Sequence, residues 1–445
     1  MMRPVWYDDA VPRFARLIAD HVGKQALLEN VILRDASGVL TFVVLDQEIP
    51  QGVLGSIAEA AKALAPYVDR IPVATPEQLF DEGLRHPGIG LIEWAEDRDF
   101  AGFVRILERR IVGSDWLREP ARPIADVPPV IVFASHKGGV GRSTALCVAA
   151  AQMAEEGRNI LVLDLDLEAP GLGSMLLPDD RLPRFGALDF YVENGLREIN
   201  DLFLEEMTAS SPLTTGRGLI HVIPAIGRTS DERPQNVIGK LSRAYLEDPC
   251  PDQPPRSFLD QTRELIQAVS RRARYDAIFV DARAGLNEST AAAVLGLGAH
   301  TLLFGIHTPQ TFRGYRYLLG FLGRYRGLVG TVDVGEWRHR LRFVHAKAPA
   351  NPLAWERFQD DAYDLLSETL YDLVDESASG QAPLFNFERH SDDGPHKAWH
   401  VLNDMNYFEF DPLVRPEQLK QEVFERTFID LIQGIEQLIK QGAVQ

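Results

Sequence analysis

Residues 131–144 read IVFASHKGGVGRST, an apolar run that empties into a glycine-rich loop with helix-forming sequence directly behind it. A continuous apolar run of this kind suits a strand of a parallel sheet covered on both faces. Gly138, Gly139 and Gly141 let the backbone curl so that several amide N–H groups converge on one point. That point lies at the positive end of the following helix, where a phosphate is the natural occupant. Ser143 then offers a hydroxyl where such loops hold Mg²⁺. Against the pattern G-x-x-x-x-G-K-[ST], His136 stands in place of the first glycine and Arg142 in place of the lysine. Glycine alone serves turns and helix caps equally well. The order strand, loop, serine, helix is what points to phosphate.

A helix is expected from Ser143 to Glu156, ended by Gly157, and a second buried strand follows as NILVLDLD, Asn159 to Asp166. Asp164 and Asp166 share one side of an extended strand, because side chains alternate with period two. They stand at its C-terminal end, where open α/β sheets place their ligands. Standing alone, such aspartates would read as turn caps. Further on, residues 275–281 read YDAIFVD, four apolar residues and then an acid suited to an Mg²⁺ coordination sphere, as in a Walker B strand.

The run Lys137-Gly138-Gly139-Val140-Gly141-Arg142-Ser143 resembles the deviant Walker A loop of ParA/MinD-type (SIMIBI-class) P-loop ATPases, in the variant group that carries a KGGVGR motif. The resemblance covers roughly residues 128 to 350 and is silent on residues 1 to 118. It implies ATP and Mg²⁺ as ligands. Gly138, Gly139, Val140, Gly141, Arg142, Ser143 and Thr144 would hold the phosphates, and Ser143, Asp281 and Asp164 would serve the metal. Asp166 would position the attacking water with Asp164 in support, and Lys137 would reach the partner's phosphates across a nucleotide-sandwich homodimer. Arg142 keeps the charge of the usual lysine without its compact ammonium, which favours nucleotide binding over fast hydrolysis. The segment Glu168 to Gly171 matches a γ-phosphate sensor. Residues 282–288, ARAGLNE, stand where relatives carry a proline-glycine switch. Gly285 there would donate its N–H to phosphate, and Arg283 is either a transition-state cation or a surface pair. Pro309, in His307 to Thr311, opens a helix where relatives contact nucleotide, and His345 to Asn351 is a candidate for base contact.

Composition fits this reading. The chain has 445 residues, enough for two or three domains, with 46 basic and 64 acidic residues for a net charge of −18. That balance disfavours wrapping nucleic acid. One local exception holds Arg313, Arg316, Arg324, Arg326, Arg338, Arg340, Arg342 and Lys347 against Asp333 and Glu336. It is a nucleic-acid surface in the sharper reading and a set of arginines paired with the chain's own acids in the favoured one. Cys147 and Cys250 are the two cysteines, so neither a disulfide framework nor a cysteine-held cluster is expected. Apolar runs are strand-sized and the N-terminus lacks a signal-peptide core, which makes a cytoplasmic protein the expectation.

The fold class expected is a doubly wound, mostly parallel α/β sheet with a small α/β domain before it, at residues 1–118. In that small domain, helices are expected at Ala10 to His21, Leu54 to Ala65 and Phe100 to Arg110, a strand at Ile89 to Ile92, and a turn at Asp35 to Gly38. A proline-rich linker, 119–129, leads into the ATPase region, 130–412. Strands there are expected near 130–134, 160–164, 219–224, 277–280, 301–306 and 341–345, and a helical insertion at about 178–270 offers a partner or substrate surface. Residues 413–445 form an amphipathic helix with Val423, Phe424, Phe428, Leu431, Ile432, Ile435, Leu438 and Ile439 at three- and four-residue spacing. Its polar face is acid-rich, so packing on the ATPase core is expected rather than a membrane surface.

The function expected is a slow, Mg²⁺-dependent ATPase whose nucleotide state controls dimerisation and engagement of a protein partner. The arginine-loop group ties this to multi-gene bacterial systems, conflict and anti-phage defence among them. The alternatives are a nucleotide-locked scaffold that does not hydrolyse, and a P-loop synthetase or kinase with the insertion as lid.

Overall fold

The computed structural model describes residues 4–442 except 47–48, 69–70, 87, 215, 251–252, 331–336 and 373–384. The chain divides into two compact units, Met1–Leu117 and Arg118–Gln445.

The first unit is a five-stranded mixed sheet built from Val31–Arg34, Leu40–Val43, Val73–Ala74, Leu91–Asp97 and Phe100–Glu108. Helices Tyr7–Val22 and Gln51–Ala61 cover one face, burying Phe14, Ile18 and Ile57 against Ile32, Phe42 and Val104. At the first hairpin Asp35 Oδ1 accepts from the amides of Ser37 and Val39, which fixes the turn expected there. The helix expected from Phe100 to Arg110 is instead a strand, antiparallel to Leu91–Asp97. Phe100, Val104 and Ile106 are buried with partly exposed residues between them, so the register of a sheet prevails over a spacing that also suits a helix.

The main sheet of the second unit has eight strands among the described residues: β1 Val130–Ser135, β2 Asn159–Asp164, β3 Ala209–Ser210, β4 Leu219–Ile223, β5 Ala277–Asp281, β6 His300–Gly305, β7 Leu341–Ala348 and β8 Trp399–Leu402. Their order is β8-β7-β6-β1-β5-β2-β4-β3, parallel throughout except for the antiparallel edge pair β3–β4. This is the doubly wound α/β fold. Helix α1, Arg142–Glu155, follows β1 and is buried along most of its length, with Ala145, Leu146, Cys147, Val148 and Met153 in the core. Strand β8 and the edge strand β3 were not anticipated, because runs of four and two residues give too little pattern to recognise.

The region 178–270 holds the helices expected, among them α2, Phe258–Arg272, and also a hairpin of Asp248–Cys250 with Gln253–Arg256. The proline-rich stretch is a strap on the second unit rather than a free spacer: Ala121 N–H donates to the Leu295 carbonyl at 2.8 Å, and Arg340 donates to the Ala121 carbonyl. After helices α3, Pro309–Leu322, and α4, Pro352–Thr369, the chain ends in α5, Gln421–Gly442. Phe424, Phe428, Leu431, Ile432, Ile435 and Ile439 of α5 are buried in the same core as α1, and Gly434 lies against the Trp399 ring. No described helix is long and apolar enough to cross a membrane.

Candidate functional site

Strands β1, β5 and β2 are neighbours, so the segments leaving their C-terminal ends meet although they lie far apart in sequence. Gly141 caps α1 with φ 89° and Gly139 has φ 75°, backbone conformations that suit glycine. Beyond the adjoining residues of the chain, nothing lies within 4 Å of where a Cβ would stand on Gly138, Gly139 or Gly141, so the loop glycines border open space. His136, at the position of the missing glycine, rests on α3. A Cβ on Gly314 would stand 2.0 Å from the His136 ring, so the histidine needs that glycine. Val140 is buried beneath the loop, and Thr144 follows Ser143 on the first turn of α1.

Register places the carboxylates. Asp281 is the cross-strand partner of Asp164, and the Asp166 amide donates to Asp164 Oδ1 at 3.0 Å. Ser143 Oγ donates to Asp281 Oδ2 at 2.5 Å. Burial pushes the Asp164 carboxyl up to about 8, and the Asp281 charge adds to it. Asp164 Oδ2 and Asp166 Oδ1 are buried without a hydrogen-bond partner. A hydroxyl and carboxylates with spare oxygens are the hard donors that Mg²⁺ takes, so these residues fit that ion.

Arg142 does not extend toward the open face of the loop. Its guanidinium turns inward beneath it, with Nε on Asp281, Nη2 3.2 Å from Asp166 Oδ2 and Nη1 3.4 Å from Ser135 Oγ. Burial works against its charge, but Asp281 and then Asp166 outweigh that and raise its pKa. In this conformation two carboxylates, Asp281 and Asp166, hold the Arg142 side chain. The Gly285 N–H donates to the Ser135 carbonyl at 3.0 Å. Arg283 pairs with Glu168, which ties the segment after β5 to the segment after β2. Lys137 is exposed, its Nζ donating to Gln310 Oε1 at 3.1 Å, and Pro309 is the first residue of α3 beside that glutamine.

His345 is buried, stacked on the Phe358 ring at 4.2 Å between centroids, so it offers no surface to a base. From the same stretch Lys347, at φ 51°, reaches back and donates to the Gly139 carbonyl at 2.8 Å. A cavity beside the loop is lined by Val140, Thr144, Lys347, Asn403, Asp404 and Phe408. Lys347 belongs in sequence both to the basic stretch and to the base-contact candidate His345 to Asn351, and Asn403 and Asp404 carry no signal. Most of that stretch is engaged inside the unit. Arg338 is buried on Asp372 at 2.6 Å, Arg316 pairs with Glu368, and Arg342 donates to the carbonyls of Gly394 and Lys397. Asp333 and Glu336 lie outside the described residues.

Residues 126–189 match the family model ParA, described as NUBPL iron-transfer P-loop NTPase. Among curated proteins, a cytosolic Fe-S cluster assembly factor of Candida albicans is 38% identical over 64 residues, 14% of this chain and 22% of that one. The chain thus spans about a fifth of the length of that relative. Among solved structures, the septum site-determining protein MinD of Pyrococcus horikoshii, complexed with Mg-ADP, superposes with TM-score 0.42 at 17% identity, covering 71% of this chain and 99% of that one. The Pyrococcus furiosus cell division ATPase MinD gives 0.41 at 18% identity over 70% and 99%. A ParA family ATPase of Chlorobium tepidum gives 0.40 at 16% over 68% and 98%.

Proposed function

We propose that the chain is a ParA/MinD-like P-loop NTPase that binds ATP with Mg²⁺, hydrolyses it slowly, and uses its nucleotide state to control homodimerisation and the engagement of a protein partner. The observation that carries this reading is the convergence of Ser143, Asp281, Asp164 and Asp166 directly beneath an open glycine loop at the start of α1. The loop amides from Gly138 to Thr144 receive the phosphates. Mg²⁺, when bound, neutralises phosphate charge through the oxygens of Ser143 and Asp281. Asp166 orients water, and exposed Lys137 leaves Gln310 to act on a partner chain's nucleotide. The cavity beside Val140 and Thr144 receives the nucleoside.

A scaffold that locks on nucleotide without turnover is the second reading. Its support is specific: Asp166, the residue assigned to water, is held by Arg142. Single-turnover hydrolysis of radiolabelled ATP separates the two, since a wild-type rate no higher than that of buffer without protein leaves only the scaffold. An iron–sulfur role like that in the relatives' names is not proposed, because the sequence offers two cysteines, Cys147 and Cys250, too few within one chain for a four-cysteine cluster, and Cys147 is fully buried on α1. The partner is identified by what co-purifies in ATP and is released in ADP.

A further inference from the structure

The side chain that replaces the usual loop lysine sits on the carboxylate a metal would need. Arg142 opens α1, so its Cα lies at the mouth of the phosphate loop, yet its guanidinium is buried against strand ends β1, β2 and β5. Asp281 Oδ2 accepts from Ser143, and Asp281 Oδ1, which no hydrogen bond satisfies, is in ion-pair contact with Arg142 Nε. Asp166 Oδ2 is taken by Arg142 Nη2. Ser143 and Asp281 are the two groups assigned to Mg²⁺, which requires oxygen ligands at about 2.0–2.1 Å in near-octahedral array. A guanidinium touching the same carboxylate leaves no room for that array and repels a second cation.

We propose that Arg142 is an internal counter-ion that keeps the metal site closed until nucleotide arrives, so that divalent metal and nucleotide enter together and metal alone does not bind. The inference rests on the reading of Ser143 and Asp281 as metal groups. The chemistry follows from what surrounds the side chain. Without nucleotide, Arg142 is the cation that neutralises a pocket otherwise lined by Asp164, Asp166 and Asp281. Phosphates seated on the loop amides present a stronger anionic acceptor within reach of the same arginine, whose planar fork suits phosphate as well as carboxylate. Its departure frees Asp281 for metal and Asp166 for water in one movement. A lysine ammonium carries its three N–H donors on one nitrogen, whereas the guanidinium spreads its donors over three nitrogens and so spans Asp281, Asp166 and Ser135 Oγ at once.

The test uses the full chain and Mn²⁺ as probe, followed by electron paramagnetic resonance of the free ion, with and without ADP. Wild type should show no saturable Mn²⁺ site up to about 1 mM without ADP, and one site per chain with ADP. Arg142→Gln should gain a site without nucleotide, at least tenfold tighter than in wild type. Its thermal midpoint in EDTA should fall and recover on adding Mn²⁺. Should the glutamine variant not fold, Arg142→Lys, which keeps a charge, is expected to gain a weaker site, and the wild-type arm stands by itself. Saturable Mn²⁺ binding by nucleotide-free wild type overturns the proposal, as does a folded Arg142→Gln that binds ADP yet gains no site. Failure of wild type to bind ADP at all instead removes the functional reading beneath it.

Discussion

Two glycines on one helix separate packing from propensity. Gly314 and Gly320 both lie within α3, where replacing glycine by alanine favours the helix by about 1 kcal/mol. At Gly320 a Cβ meets nothing within 4 Å, so Gly320→Ala should realise most of that gain. At Gly314 the Cβ would stand 2.0–2.5 Å from three atoms of the His136 ring, far inside contact distance. Overpacking of this kind costs roughly 1–3 kcal/mol, so Gly314→Ala should come out destabilised by up to about 2 kcal/mol despite its better propensity. Because His136 precedes Lys137 and the phosphate loop, its displacement should also weaken ATP binding several-fold, an effect Gly320→Ala should lack. Urea denaturation gives the stabilities, and titration with a fluorescent ATP analogue gives the affinities. Removing the ring with His136→Gly should restore the alanine variant relative to its own background. The reasoning is refuted if the two alanine variants are equally stable, or if His136→Gly leaves the difference between them intact.

Ile435, fully buried on α5, should cost about 2–4 kcal/mol when truncated to alanine, and the intact chain should not sediment with anionic vesicles. Burial lowers the pKa of His345 to about 3 and of His300 and His396 to about 4, with neighbouring charged groups as minor contributors. Folded-state pKa values depressed below an ordinary value near 6.5 mean that the folded chain binds fewer protons in that window. Stability should therefore be complete above about pH 6.5 and fall as the pH drops toward 4. His345→Phe should flatten the curve; an unchanged slope in urea midpoint against pH would move the effect elsewhere. Asp166→Ala should leave ATP binding within about threefold of wild type while slowing single-turnover hydrolysis tenfold or more, the loss expected on removing a water-positioning group. Equal single-turnover rates would reassign that role.

The strand ends were legible because a parallel sheet buried on both faces writes itself as apolar runs, and β1, β2 and β5 are of that kind. The places of Asp164, Asp166, Ser143 and Asp281 at or just after strand ends were therefore legible in the sequence, since each terminates or follows such a run, while their roles came from the resemblance. Phe100–Glu108 misled because its apolar residues satisfy a helical spacing as well as an alternating one, and the pairing with Leu91–Asp97 decides between them. Other features depend on which strands are neighbours. Arg142 turns inward because β5 and β2 bring Asp281 and Asp166 under it, and Gly285 is drawn to the Ser135 carbonyl for the same reason. Lys347 reaches the loop from a strand two places away in the sheet, across 208 residues of sequence. Motif order holds no trace of such contacts, because they are fixed by lateral strand order.

Calorimetric titration of the full chain with ATP, with and without Mg²⁺, bears most directly on the central claim. Saturable binding at one site per chain, at least tenfold weaker in EDTA and lost when Asp281→Asn is combined with Ser143→Ala, is the predicted result. Absence of saturable ATP binding, or an affinity indifferent both to Mg²⁺ and to that double substitution, would contradict the assignment of this loop and these carboxylates to a nucleotide.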